Sequence, residues 1–417
     1  MRRETRDLEF KESVSNTFLK TVSAFANYGD GRILFGVDDD GKAIGLSDLT
    51  QTCLDIENRI NDSISPLPKY RLEINENNTI TLWVYKGTNT PYLYKNKAYR
   101  RSDSASIEVD RLELNRLILA GTNQDFEDLP ARTQQLHFQV LEEFMERRIG
   151  IRKLDQDILK TLGLFNSQGK YNHAAELLAD DNTFPGIDII RFGASIDEIR
   201  ERKRIEHVSL LTQYSETLQL FRTQYEYEKI SGAERHLVET IPEKAMREAL
   251  ANSLVHRTWD VRTPIHIGFF PDRIEITSPG GRPEGLSKDE YLYHRISILR
   301  NPKIANVFYR LGYIESFGTG VQRIIDAYAA SRVRPDFFIT ANAVRITLPV
   351  LQAVPKLTQD ENVILQVMPD ERLLSRKEIE EQTDFTKTKV IRLLNGLVKK
   401  KVIQKMGSGR GTKYMKQ

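Results

Sequence analysis

The sequence predicts a multidomain α+β protein, on three observations. Apolar residues recur with period two in some segments and period 3.6 in others, and the two patterns are interleaved along the chain. The length, 417 residues with 40% apolar content, is enough for two to four separate cores. Charge breaks sharply near Asp384: beyond it there is no Asp or Glu, while ten Lys and Arg side chains give +10, leaving −7 for the first 384 residues of a chain whose net charge is +3. Such asymmetry points to a polyanionic partner at the C-terminal end.

Bulk features narrow the class further. A single cysteine, Cys53, excludes a disulfide framework and suits a reducing compartment. The first ten residues, MRRETRDLEF, hold no apolar signal-peptide core, and no run of 18 apolar residues is present. The expectation is a soluble cytoplasmic protein without a membrane span.

Residues 1–118 read as one α+β unit. In DLEFK, Leu8 and Phe10 alternate with Glu9 and Lys11, which predicts a half-buried strand with Glu9 and Lys11 on one face. Glu4 lies five residues before Glu9, so it joins that face only if the chain bends between them. NTFLKTVSAFANYGDG has helical spacing, with Phe18, Val22, Phe25 and Ala26 on one side and Gly29 as a stop. RILFGVDDDGKAIGL predicts two short strands around an Asp-Asp-Gly turn, TQTCLDIENRINDSI a helix, and YRLEINENNTITLWVYKG a hairpin. The segment AYRRSDSASIEV and the helix VDRLELNRLILAG close the unit.

Residues 119–350 read as a connector followed by a second folded module. QQLHFQVLEEFMERRI and EHVSLLTQYSETLQLFRTQYEYEK predict helices, and IDIIRFG a buried strand. PEKAMREALANSLVHRTWD predicts a helix with Pro242 in its first turn. PIHIGFFPDRIEITSPGG alternates as two strands. NPKIANVFYRLGYI and GTGVQRIIDAYAAS predict helices, and AVRITLPV a final strand. LQAVPKL reads as a linker to a small domain at 358–417, where TQDENVILQVM, SRKEIEEQT and TKTKVIRLLNGLVKKKVI predict three helices before a basic hairpin with its tip at GSGRGT. In the third helix Val390, Leu394, Leu397 and Val398 form the core stripe, and Thr386, Lys389 and Arg392 fall away from it.

The central helix carries EALANSLVH, in which Glu248 and Asn252 are four residues apart and point the same way. The Asn252 amide oxygen suits a hard Mg²⁺ that also touches nucleotide phosphates, and Glu248 can orient a water. Downstream, Gly280 and Gly281 end a strand, and Gly318, Thr319 and Gly320 open a helix whose backbone N–H groups can face a phosphate. His256 shares a face with Asn252 and reads first as a structural histidine. No G-x-x-x-x-G-K-[ST] phosphate loop occurs in the chain.

These motifs carry three resemblances. REALANSLVHR, DRIEITSPGG, RNPKIANVFYRLGYIE and GTGVQRI make residues 240–348 resemble the RecG-related C-terminal domain of bacterial regulators, itself similar to the GHKL ATPase fold, an α/β sandwich. The resemblance implies ATP as a candidate ligand, with Glu248, Asn252, Gly280, Gly281, Gly318, Thr319 and Gly320 as nucleotide-binding residues and Asn252 toward the metal. The chain departs from the GHKL pattern at one place: Ser278-Pro279-Gly280-Gly281 stands where that family has an Asp-x-Gly-x-Gly turn.

LEFKES, VSAFANYGDGRILFGVDDDGKAIGL and AYRRSDS make residues 4–118 resemble the Schlafen-type AlbA-like domain. In Schlafen nucleases this domain cuts RNA with a three-carboxylate metal site. Carried over by motif, the resemblance implies Glu4, Glu9 and Asp39 as ligands of Mg²⁺ or Mn²⁺, with Asp38 as the alternative to Asp39 and Lys11 steadying the phosphate. It also suggests nucleic-acid contacts from Arg100, Arg101 and Tyr99. Residues 358–417 resemble a winged helix-turn-helix. That resemblance implies a third helix in the DNA major groove and a wing on the backbone, with Thr386, Lys387, Lys389, Arg392, Lys399, Lys405 and Arg410 at the nucleic acid.

The expectation is therefore a nucleic-acid-binding protein. The preferred form is a DNA-binding transcriptional regulator with a nucleotide-sensing or dimerising central module, acting as a homo-oligomer. The competing form is a metal-dependent Schlafen-like endoribonuclease used in phage defence, for which RNA is the substrate.

Overall fold

The first strand, Leu8–Lys11, begins after a tight turn in which Thr5 and Leu8 exchange backbone hydrogen bonds. It pairs in parallel with Gly31–Phe35, which pairs antiparallel with Ile80–Val84, and that strand with Tyr70–Ile74. The helix Phe18–Tyr28 fills the parallel crossover and lays Phe18, Leu19, Val22 and Phe25 on the sheet residues Ile33, Phe35, Ile80 and Leu82. Each such side chain contributes roughly 1.5–3 kcal/mol on burial. Gly31 is required here, because a Cβ at that position would land on the Phe25 ring. The segment after Gly31–Phe35 forms one isolated bridge, Val37 to Ala43, in place of the expected second strand. AYRRSDSASIEV is a hairpin of Tyr99–Ser102 and Ala105–Glu108.

This computed structural model describes residues 3–231, 234–282, 287–293, 298–315, 318–352, 357–369, 372–400, 402–407 and 409–416. Most of the expected linker LQAVPKL lies outside them.

The central module is built on a six-stranded sheet in the order Ile199–Ile205, Ile187–Phe192, Ile265–Phe269, Arg273–Pro279, Ala343–Pro349 and Asp336–Ile339. Ile187–Phe192 and Ile265–Phe269 run parallel, and the other neighbours run antiparallel. Helices Leu210–Tyr225, Glu243–Val255 and Pro302–Arg310 share one apolar core with this sheet. The two outer strands were not expected from the pattern. Residues 226–229, expected as helix, belong instead to a separate hairpin, Glu226–Ser231 with Glu234–Glu239.

Two contacts tie the N-terminal half to this module. Arg116, on the helix Arg111–Gly121, pairs with Asp260 at 2.7 Å. Glu127, fully buried in the connector, caps the helix Pro302–Arg310 by accepting from the backbone N–H groups of Lys303 (2.5 Å) and Ile304 (3.1 Å).

The C-terminal unit has its own core of Ile364, Ile379, Val390, Leu394, Leu397 and Ile403. Helices Gln359–Val367 and Arg376–Glu381 each start with a capping box, Thr358 with Glu361 and Ser375 with Glu378, as the S/T-x-x-E spacing dictates. The helix Lys387–Lys399 follows, then an antiparallel sheet in the order Leu374–Ser375, Lys413–Lys416, Ile403–Met406.

Candidate nucleic-acid and nucleotide sites

In the N-terminal domain the tight turn supplies the bend that Glu4 needs. Glu4 returns to the first strand, and its Oε1 accepts from the Phe10 N–H at 2.8 Å. Glu9 points inward and is only 5% exposed. Its Oε1 pairs with Lys11 Nζ at 2.7 Å, and its Oε2 takes the Arg101 guanidinium and a 2.6 Å hydrogen bond from Thr21 Oγ1. Arg101 also donates to Ser106 Oγ (3.1 Å) and to the Thr5 carbonyl (3.2 Å). Asp38 closes an Asx turn, its Oδ1 accepting from the N–H groups of Asp40 and Lys42. Asp39 is exposed at that turn, and no hydrogen bond or ion pair ties it to Glu4 or Glu9.

This arrangement does not fit a divalent metal on Glu9. One carboxylate already lies between two cations, so adding a metal would crowd positive charge where the expected site needs negative charge. Among the described residues no three His, Cys, Asp or Glu side chains gather as a metal shell.

The same cluster corrects the nucleic-acid contacts expected here. Arg101 and Tyr99 are buried, 6% and 7% exposed, and belong to the interior. Arg100 is exposed and leans on Glu113 at 3.2 Å. One further cation and ring set lies on the sheet, where half-buried Arg32 and exposed Arg71 flank the half-buried Trp83 ring at 5.4 and 6.0 Å.

In the central module the expected nucleotide residues come together. Asn252 Nδ2 donates to Glu248 Oε1 at 3.4 Å, and Gly320 sits against both: a Cβ there would be 2.5 Å from Glu248 and 2.6 Å from Asn252. Asn252, Gly280 and Gly281 line one cleft with His256, Ser278, Tyr291 and Arg300. Gly280 has φ +104, which only glycine adopts readily, and this lets the strand end turn into the cleft. Arg300, missed in the sequence, fixes that turn by donating to the carbonyls of His256 and Gly281, both at 2.9 Å.

Electrostatics in the cleft follow from burial. Burial pushes the Glu248 carboxyl up. Burial, then the Arg300 charge, pushes His256 down to about 4, so it is neutral at physiological pH and acts as a wall. The Ser278 hydroxyl donates to the Ser253 carbonyl at 2.8 Å. The described walls leave about 30 Å³ of room, far below the roughly 300 Å³ at which ligand pockets begin. Gly318 and Thr319 lie at the start of the helix Gly320–Asp326, and the Thr319 side chain makes no cap bond.

Two family models match parts of the chain. Residues 4–110 match Schlafen, AlbA_2, and residues 262–348 match HATPase_c_4, described as ATP-dependent DNA helicase recG C-terminal. The chain carries a Schlafen AlbA_2 domain and a recG-type ATPase-like domain. Both point to a nucleic-acid-related function. Glu4, Glu9, Asp39, Arg100 and Arg101 fall inside the first match, and Gly280, Gly281 and Gly318 to Gly320 inside the second. Glu248 and Asn252 precede the second match. The crystal structure of the DIP2311 protein from Corynebacterium diphtheriae is similar at 18% identity, covering 99% of this chain and 92% of that one with a TM-score of 0.49. No curated protein matches the chain. No described helix is long and apolar enough to cross a membrane.

In the C-terminal unit Thr386, Lys387, Ile391, Arg392, Asn395 and Lys399 are exposed along one side of the helix Lys387–Lys399. Lys405 and Lys413 are exposed on the two long strands of the adjoining hairpin. Lys389 differs from the expectation. It is held by Asp360 at 2.9 Å and lies 4.0 Å over the Phe385 ring, away from the exposed face. The Arg410 side chain lies outside the described residues.

Proposed function

We propose that this chain is a DNA-binding regulator that grips duplex DNA through its C-terminal unit, used as a winged helix. The observation that carries this reading is the exposed face of Lys387, Arg392 and Lys399, continued by Lys405 and Lys413, in a segment without a single carboxylate. Side chains of this kind bind phosphates and release counterions, and Asn395 and Thr386 offer hydrogen bonds to base edges. The central module serves as a sensor. Its cleft gathers Asn252, Gly280 and Gly281 but lacks a carboxylate at the strand end, and with about 30 Å³ of room it has to open to admit a nucleotide, both of which favour weak binding. Asn252 and Glu248 would face a nucleotide's Mg²⁺, which would screen the phosphate charge.

The endoribonuclease reading ranks second. The turn that brings Glu4 back to the first strand supports it. The two cations on Glu9 count against it. The deciding experiment is a gel-shift titration of duplex DNA with the full chain and with a chain lacking residues 356–417. Equal affinity in both overturns the regulator reading.

A further inference from the structure

A second cavity lies on the helical side of the central module, and neither reading above uses it. It is about 290 Å³, roughly ten times the room in the Asn252 cleft, and close to the lower bound of small-molecule pockets. Four arginines and three aromatic rings line it: Arg147 and Arg148 with Phe144 from the helix Gln139–Ile149, Arg222 with Tyr214 from the helix Leu210–Tyr225, Arg247 from the helix Glu243–Val255, and Tyr313. Among the described residues no carboxylate lines it.

The four cations are not equivalent. Arg222 is held by Glu243 at 2.5 Å, and Arg147 by Glu143 at 3.3 Å. Arg148 and Arg247 have no carboxylate in ion-pair reach among the described residues. Arg148 lies 5.2 Å over the Tyr313 ring, and Arg247 is half-buried beside Tyr214. A half-buried guanidinium without a counter-ion is costly unless an anion joins it. Tyr214, 2% exposed, lines the same space with its hydroxyl against the Arg247 guanidinium, and the Tyr313 hydroxyl stands in the same way against Arg148, so the two phenols aim both guanidinium groups at the cavity. Beneath them, Tyr214 and Tyr313 pack with ring centroids 4.6 Å apart and set the floor.

We propose that this cavity binds a nucleoside monophosphate, its phosphate on Arg148 and Arg247 and its ring among Phe144, Tyr214 and Tyr313. Guanidinium forks match phosphate oxygens, and aromatic walls suit a planar ring. The volume admits one ring with its phosphate and is too small for a duplex. The ligand is either a free nucleotide or an unpaired nucleotide of a strand, since both present the same ring and phosphate. Arg247 and Asn252 sit on one helix but line different cavities, so the two sites can be separated by mutation.

The test is calorimetric titration of the full chain with AMP, adenosine, inorganic phosphate and a short single-stranded oligonucleotide. The proteins are wild type, Arg148→Gln, Arg247→Gln and Asn252→Ala. Arg148 is exposed, so its variant reports on binding even where Arg247→Gln folds poorly. The expected result is AMP binding that falls by about tenfold or more in each arginine variant, as loss of a charged hydrogen bond implies, and persists in Asn252→Ala. Tighter binding of the oligonucleotide with the same arginine dependence assigns the pocket to a strand's unpaired nucleotide and upholds the proposal. No AMP or oligonucleotide binding by wild type overturns it. So does binding unchanged by both arginine variants, binding lost only in Asn252→Ala, or inorganic phosphate binding as tightly as AMP.

Discussion

Glu9 and Arg101, 92 positions apart in sequence, form an ion pair in the interior of the AlbA_2 domain, with side-chain exposures of 6% and 3%. The pair joins the first strand to the Tyr99–Ser102 hairpin across the helix that supplies Thr21. Its geometry makes Glu9 a structural charge as it stands. Removing one partner of a buried pair costs about 3–5 kcal/mol where the other is left alone; Lys11 and Thr21 stay on Glu9, so that range is the upper bound here. Arg101→Met should therefore lower the stability of this domain measurably, by no more than that range, in chemical denaturation. A midpoint equal to wild type would show that Lys11 and Thr21 alone satisfy Glu9.

Metal addition offers a second check on the same residues. With Lys11 and Arg101 already on Glu9, Mn²⁺ has little to gain in the native state, and ligands stabilise only what they bind. Thermal melting of wild type should be the same with and without Mn²⁺. A rise in Tm that disappears in Glu9→Gln would overturn this expectation and move the metal-dependent nuclease ahead of the regulator reading.

Much of the fold was legible because it rests on periodicity. The helix Phe18–Tyr28, the Tyr70–Ile74 and Ile80–Val84 hairpin, and the helices Gln359–Val367 and Arg376–Glu381 all follow from local spacing. The roles of the charged residues were less legible. Alternation in DLEFK put Glu9 opposite Leu8, but alternation cannot distinguish a solvated face from one covered by a hairpin 90 residues later. A usable signal was present in Tyr99-Arg100-Arg101-Ser102: period two places Arg101 on the side of Tyr99, and both are buried while Arg100 is not. The edge strand Ile199–Ile205 stayed hidden because all of it but Ile205 is exposed and charged side chains fill both faces, Arg202 paired with Asp188 and Lys203 with Glu216, so no apolar alternation marks it. The arginine cavity draws on helices more than 60 residues apart, and no sequence spacing reports such a meeting.

Glu127 gives a pH dependence with a defined sign. Burial pushes its carboxyl up to about 7, against the opposing pull of the Lys303 and Ile304 N–H groups and the Lys303 ammonium. In the unfolded chain the same group titrates near 4.5. Between those values the native state holds a proton that the unfolded state has released, so stability falls as pH rises. The contribution is present in full below about 4.5 and is lost as pH passes through about 7. At roughly 1.4 kcal/mol per pKa unit its span is on the order of 3 kcal/mol. The Tm of wild type minus that of Glu127→Gln should therefore fall from pH 5 to pH 8. A difference that grows toward pH 8 would mean that the helix cap holds Glu127 charged.

The DNA-binding reading makes its sharpest prediction at two cations three residues apart. Arg392 is exposed on the helix Lys387–Lys399, while Lys389 is turned aside onto Asp360 and Phe385. A phosphate contact contributes about 0.9 to the slope of log affinity against log salt, so losing one contact lowers both the affinity and the slope. Arg392→Ala should weaken duplex binding and reduce the slope by about 1. Lys389→Ala should leave the slope unchanged, because its ammonium is neutralised within the protein. Removing residues 356–417 should flatten the salt dependence far more than either point change, since Lys387, Arg392, Lys399, Lys405 and Lys413 leave together. Equal effects of Arg392→Ala and Lys389→Ala would mean that DNA meets this helix from another side. A slope untouched by both, in a protein that still binds DNA, would move the interface to the AlbA_2 domain, where exposed Arg71 and half-buried Arg32 flank the half-buried Trp83 ring.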